Sequence, residues 1–148
     1  MKIRIYPPII AGIYLLVTII LNYIFPGMRI IYSPYHYFGG VFVVAGFILM
    51  IWASQVFRKN ETTHNPFNKS TVLVTAGPFS FSRNPMYLGL SFILLGIAVF
   101  MGTVSLLFAP VAFFLTINMT FVQHEEKKLD RIFGQSYIKY KNRVRRWL

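Results

Sequence analysis

Ser82-Arg83-Asn84-Pro85-Met86-Tyr87-Leu88-Gly89 opens the stretch that decides the fold. From Met86 through Gln123 no side chain carries a charge, and Glu125-Glu126 follows directly afterwards. Gly102-Thr103 is the only plausible turn inside this stretch. Folded there, it makes a hairpin of two apolar helices, over 85–101 and 104–122. Arms of about 16 to 19 residues span roughly 24 to 28 Å, slightly under a hydrocarbon core of about 30 Å. A single unbroken helix would overshoot that core badly. The hairpin returns both ends to one membrane surface, where the polar residues 82–87 can meet Glu125-Glu126. Such a geometry suggests a polar small molecule held at a membrane surface beside an apolar cavity.

The rest of the chain agrees with a membrane setting. It has 148 residues, 55% hydrophobic and 13% charged, against about 25% charged in an average soluble domain. The expected architecture is all-α: an integral membrane protein of about four transmembrane helices, with residues 1–148 as a single domain. Helix one is expected over 8–25, with Pro7-Pro8 in its first turn and Pro26-Gly27 ending it. It is long for the apolar core of a signal peptide, and no cleavage pattern follows, so it reads as a retained span. Helix two is expected over 38–57, with Gly39, Gly40 and Gly46 offering close helix approach. Helix four lacks a stop at the membrane surface. Its pattern continues through Glu125, Leu129 and Phe133 to Gly134, as a cytoplasmic extension. A last amphipathic interfacial helix is expected over 136–147.

Charge sets the orientation. The chain carries a net +11, and eight of its fifteen Lys and Arg residues follow Gln123. With four spans, the N-terminus, the 58–85 loop and the C-terminus share one side and hold fourteen of the basic residues. Only Arg29 faces the other side. Positive charge concentrates on cytoplasmic loops, so that shared side is expected to be cytoplasmic. The basic residues interleave with Tyr137, Tyr140, Val144 and Trp147 in an interfacial pattern, which argues for membrane lipids as partners and against nucleic acid. Asn60-Glu61-Thr62 and Asn68-Lys69-Ser70 match the glycosylation pattern but should be unused on that side. The chain has no cysteine, so disulfides and thiolate chemistry are excluded.

Several residues admit both a bland and a functional reading. Asn84-Pro85 is an ordinary helix start, with Asn as N-cap and Pro at the first position. A helix N-terminus beside Arg83 also attracts a carboxylate. Glu125-Glu126 can be a solvated helix surface, with Glu125 and Lys128 as an i,i+3 pair. Yet acids number only four in the chain, and two stand together at a membrane mouth. A carboxylate there can bind an ammonium, a sulfonium-bearing ligand or ribose hydroxyls. Tyr137 and Tyr140 read as interfacial anchors or as faces for a cationic ligand. His124 and His64 lack further ligands at useful spacing, so no metal site is expected. His36 falls on the opposite side.

Thr75-Ala76-Gly77-Pro78-Phe79-Ser80-Phe81-Ser82-Arg83-Asn84-Pro85-Met86-Tyr87-Leu88-Gly89 resembles the signature of the isoprenylcysteine carboxyl methyltransferase family and related phospholipid methyltransferases. The tail is similar too: Glu125-Glu126, Leu129, Phe133-Gly134, Tyr137, Tyr140, then Val144 and Arg146-Trp147. The resemblance covers roughly half the chain, from Thr75 onward. It implies a membrane enzyme using S-adenosylmethionine, with the cofactor pocket formed before the hairpin and on the helix after it. Carried onto this chain, the cofactor-binding set is Gly77, Arg83, Asn84, Pro85, Tyr87, His124, Glu125, Glu126, Tyr137 and Tyr140. Arg146 is a support, and Arg83 and Glu126 are the residues closest to catalysis. The eukaryotic carboxyl methyltransferases have His where this chain has Asn84. The Gly-x-Gly motif of the phospholipid N-methyltransferase branch is absent.

Methyl transfer from a sulfonium is an in-line displacement, so the protein mainly positions the reactants and excludes water. The expected arrangement has Glu125 or Glu126 at the amino or ribose end of the cofactor. Arg83 and the helix-three N-terminus would hold its carboxylate, and the 58–74 loop would close above. The acceptor is expected to be lipophilic or lipid-anchored and to arrive sideways between helices. Related alternatives are phospholipid N-methylation and thiol S-methylation, and a sterol-reductase-like protein is a more distant one. Outside enzymology, a small transporter or an assembly protein fits the composition. Proton-coupled transporters usually place an acid inside a span, and helices one to four have none.

Overall fold

The structure, a computed structural model, describes residues 6–60 and 72–148. The described residues form six α-helices: α1 Pro7–Ile24, α2 Phe38–Lys59, α3 Pro85–Met101, α4 Val104–Ile117, α5 Gln123–Phe133 and α6 Gln135–Arg143. A π turn, Asn118–Val122, joins α4 to α5 without a break, and short 3-10 turns stand at Tyr35–Tyr37 and Gly77–Ser80. Among the described residues there is no strand, only an isolated bridge between Arg29 and Thr103.

Among the described residues, three helical segments are long and apolar enough to cross a membrane: Pro7–Ile24, Tyr35–Lys59 and Val104–Phe133. The shorter apolar α3, 17 residues, lies among them. Large apolar side chains point outward from the other three, including Ile13, Leu16 and Ile20 on α1, Phe47 and Ile51 on α2, and Phe108 and Leu115 on α4. An apolar surface this extensive is a lipid-facing surface. The protein is an integral membrane protein with an inward polar minority. Tyr14 bonds Thr116 at 2.7 Å, and Ser105 donates to Asn22 Oδ1 at 2.6 Å. These bonds join α1 to α4 and satisfy groups that lipid could not.

The α2–α3 seam explains why α3 is the most buried helix. Gly39 and Gly46 on α2 face Gly96 and Gly89 on α3, with a spacing of seven on each side. A Cβ on Gly46 would stand 2.6 Å from the Gly89 carbonyl oxygen, and one on Gly89 2.8 Å from that of Gly46. Only backbone without side chain fits there. Gly40, grouped with these two from the sequence, has nothing within 4 Å and takes no part in the seam.

At the far end the hairpin turn is held by the segment after α1. Gly102 adopts the left-handed conformation (φ 76°) that closes α3. Its carbonyl accepts the N–H groups of Ile30 and Ile31, and Val104 donates to the Met28 carbonyl. Pro110 lies inside α4, which runs through it. The irregularity comes later, at 118–122.

Helix one, Pro7–Ile24, and the start of the last helix, Gln135, lie one residue from the sequence expectation, and two boundaries differ by more. Helix two runs on to Lys59, two residues past the expected end. The last helix stops at Arg143, not 147, because Val144 turns extended (φ −117°, ψ 130°). The residues after it fold back against the start of α3 instead of lying along the interface.

Candidate functional site

The π turn decides where the two glutamates point. On α4 the buried stripe is Leu106, Phe113 and Ile117. At about 100° per residue, an unbroken α-helix would put Glu126 roughly 200° from Leu106, on the opposite face. A π turn absorbs about one extra residue and rotates everything beyond it by about 100°. Glu125 is thereby brought in line with the buried stripe, and Glu126 and Val122 swing toward the packed side. Val122 is fully buried and Glu126 is 8% exposed.

Opposite them stands the start of α3. Pro85 occupies the first helical turn, and Asn84 is in the N-cap position. The side chain of Asn84 does not cap the helix. Its Nδ2 donates instead to the Arg146 carbonyl at 3.0 Å. With no capping bond from its N-cap side chain, the positive end of the α3 dipole is open to another partner.

Between the glutamates and α3 lies an ionic cluster. Arg83 Nη1 is 3.1 Å from Glu126 Oε1. Arg146 grips the same carboxylate with two bonds, Nε to Oε1 at 3.0 Å and Nη2 to Oε2 at 2.6 Å. Arg83 Nη1 also donates to the Tyr137 hydroxyl at 3.3 Å, while Arg83 Nε is buried with no partner among the described residues. Glu125 belongs to a separate pair: the Tyr87 hydroxyl donates to its Oε1 at 2.8 Å. Tyr140 donates to the Phe79 carbonyl at 2.7 Å, which pins α6 to the 3-10 turn before α3.

The electrostatics follow from this packing. Burial pushes the Tyr137 phenol up, the Glu126 charge adds to the shift, and Arg83 partly opposes it. Burial likewise raises Tyr140. The hydrogen bonds to Glu126 raise Arg146 further. Both tyrosines are therefore neutral near pH 7, able to donate and accept but not to act as anions.

These groups line one side of a cavity of about 390 Å³. Arg83, Asn84, Pro85, Tyr87, Glu125, Glu126, Tyr137 and Tyr140 all face it. Much of the remaining wall is apolar, with Tyr6 and the α1 start Pro7-Pro8, Met50 and Phe57 of α2, and Leu90 of α3. This wall had no motif in the sequence. Its only signal was that the ends of α1 and α2 must lie near that of α3.

Two candidates fall outside. Gly77 is not part of the lining. It makes the turn at φ 60° and abuts Val56 and Trp52 behind the site. His124 is exposed on α5 and faces away, because its neighbour Glu125 takes the inward position. The expected arrangement sets Glu125 or Glu126 at one end of the cofactor and Arg83 at the other. Glu126 is joined to Arg83, and of the two glutamates expected at the amino or ribose end it is Glu125 that stands apart from that arginine. Of the expected 58–74 lid, Val72 to Val74 line or adjoin the cavity. Residues 61–71 lie outside the described residues, and with them His64 and most of both glycosylation patterns.

Helices closing around an ionic cluster at one end of a lipid-facing bundle narrow the choice of families. A family model described as phospholipid methyltransferase matches residues 34–136. The chain belongs to the phospholipid methyltransferase family. It is thus a membrane methyltransferase of that superfamily. An uncharacterized protein of Haemophilus influenzae (strain ATCC 51907 / DSM 11121 / KW20 / Rd) is 40% identical to it over 63 residues, 43% of this chain and 100% of that protein. In this phospholipid methyltransferase family member, the match ends before Tyr137, Tyr140 and Arg146. The tyrosines and the second arginine of the cluster come from residues after the matched region.

Proposed function

We propose that this protein transfers a methyl group from S-adenosylmethionine to a lipophilic acceptor, in the cavity between α3 and α5. One observation carries the reading: a single cavity joins an ionic end to an apolar end. Its volume is within the roughly 300–1,000 Å³ typical of small-molecule sites. Its residues also fit the cofactor. Arg83 Nε is a buried donor with no partner among the described residues, and it stands beside a helix N-terminus whose N-cap side chain makes no capping bond. Both favour a carboxylate, such as that of an amino-acid moiety. Tyr87-Glu125 offers a carboxylate for an ammonium or ribose hydroxyl, and the aromatic rings of Tyr87 and Tyr137 suit a sulfonium.

S-adenosylmethionine supplies an electrophilic methyl group on a sulfonium. The chain's own task is to hold, orient and dehydrate. Glu126 neutralises Arg83 enough to bury it and keeps its guanidinium aimed into the cavity. The Tyr137 hydroxyl accepts from the same nitrogen, Nη1, and steadies it. Pro7, Met50, Phe57 and Leu90 keep water from the acceptor side and suit an alkyl or acyl chain. The ends of α1, α2, α3 and α5 gather on one membrane face, and the excess of Lys and Arg there supports a cytoplasmic location.

Calorimetry of purified protein in detergent, with S-adenosylmethionine and S-adenosylhomocysteine, tests the reading. Saturable binding is expected for wild type. Arg83→Ala removes a charge-assisted bond worth about 1.5–3 kcal/mol and should weaken it tenfold or more. Absent binding in folded protein, repeated in nanodiscs, would refute the cofactor assignment. Radiolabelled methyl transfer into lipid extracts then identifies the acceptor class. Orientation is tested separately, since the natural chain lacks cysteine: a single cysteine at Ser136 should label from the cytoplasm and one at Tyr32 from outside.

A further inference from the structure

The end of the chain holds the ionic cluster together from outside the cavity. The Arg145 carbonyl accepts the N–H of Arg83 at 3.1 Å. The Arg146 carbonyl accepts Asn84 Nδ2 at 3.0 Å and Ser82 Oγ at 3.5 Å, while its guanidinium holds both oxygens of Glu126. Trp147 points the other way. Its Nε1 donates to Asn118 Oδ1 at 3.3 Å, and its ring lies 4.6 Å from that of Phe114. Asn118 is the first residue of the π turn. Arg145, Arg146 and Trp147 do not line the cavity.

We infer that the tail, Val144 to Trp147, is a latch that positions Arg83 and Glu126, with Trp147 as the residue that locks it onto the π turn. Three pieces of chain must stay in register for the cluster to exist: the segment before α3, the π turn, and α5. The tail is bonded to all three. Val144 is buried and seats its base, and its N–H donates to the Tyr140 carbonyl. The Arg146 side chain is 36% exposed, so water competes for it. Its grip on Glu126 therefore depends on the backbone being fixed on either side. Arg145 fixes it toward α3, and Trp147 fixes it toward α4. The Trp147 hydrogen bond is long, so ring packing does most of the holding. Trp147→Phe should then retain the latch, and Trp147→Ala should open it.

The test uses two readouts on the full-length protein, of which only the second rests on the proposed cofactor. The first is hydrogen exchange at the Arg83 and Asn84 amides, followed by mass spectrometry. The second is S-adenosylhomocysteine affinity by calorimetry. Trp147→Ala should speed exchange at these amides at least tenfold and weaken affinity at least tenfold. Trp147→Phe should stay within threefold of wild type in both. Phe114→Leu, which removes the ring that Trp147 packs on, is the milder variant should Trp147→Ala not fold, and it should move both readouts in the same direction. Unchanged exchange would overturn the latch. Faster exchange with unchanged affinity would reduce the tail to a structural element with no positioning role. If wild type binds no S-adenosylhomocysteine, the cofactor reading falls and the exchange result alone decides the latch.

Discussion

Replacing Glu126 by glutamine should be more damaging than removing either arginine that it holds. The side chain of Glu126 is 10% exposed and that of Arg83 9%, whereas that of Arg146 is 36% exposed. Glu126→Gln keeps the shape but removes the negative charge bonded to Arg83. Breaking a buried pair from one side costs about 3–5 kcal/mol, because the remaining charge is stranded. Glutamine retains one acceptor, which favours the lower end, about 3 kcal/mol. Arg146 adds little to this, since it can return to water, and part-exposed pairs contribute about 0–1 kcal/mol. Arg83→Gln should cost less, about 1–2 kcal/mol, because Arg146 still neutralises Glu126. In the double variant the stranded charge is gone. The loss should then fall short of the sum of the single losses by about 1.5 kcal/mol or more, a coupling typical of contacting residues. The assay is unfolding in mixed SDS micelles, read by Trp52 and Trp147 fluorescence. Losses that add within about 0.5 kcal/mol would mean that Arg83 and Glu126 share no buried environment, and the account of the cluster would fail.

Other perturbations test the frame around the site. Gly96→Leu should separate α2 from α3 and cost several kcal/mol, as overpacking against backbone does, while Gly40→Ala should be neutral or gain about 0.5–1 kcal/mol through helix propensity. The same micelle unfolding assay compares them. Tyr137 and Tyr140 titrate above their ordinary value of about 10 in the folded state. Above pH 10 the unfolded chain therefore binds fewer protons than the folded one, and stability should fall as pH rises. Tyr140→Phe should flatten that fall in a melting series from pH 9 to 11. Tyr87→Phe leaves Glu125 without its hydroxyl donor and should weaken S-adenosylhomocysteine binding measured by calorimetry, with α3 still helical by circular dichroism.

The parts legible in the sequence are those that leave a mark in side-chain type. Charge-free length gave the hairpin, Gly102 its turn, and the two polar clusters their meeting at one end. What stayed hidden are relations between backbones. The tail is held by the carbonyls of Arg145 and Arg146, and a carbonyl looks the same in every residue. Asn84 shows the consequence: its type predicts a helix cap, but the arriving tail takes its side chain. Gly39 and Gly40 differ in the same way, since only a partner helix distinguishes the glycine that is needed from the one that is not.

The π turn is the sharpest case, because it reverses a periodicity argument. Extending the α-helical pattern from Leu106 leaves Glu126 on the lipid side, where a carboxylate is costly. Two escapes exist: end the helix before the glutamates, or change its phase. Ending it would expose four carbonyls near the membrane surface. Changing phase costs only one strained turn and keeps the helix continuous from Val104 to Phe133. The polar run from Gln123 to Lys128 is therefore compatible with a long helix only if the phase slips just before it. The structure has its slip at Asn118–Val122. Asn118 also supplies the acceptor for Trp147. Phase, tail and ionic cluster are set at one place, so a change that restores plain α-helix at 118–122 should turn Glu126 outward and release Arg83.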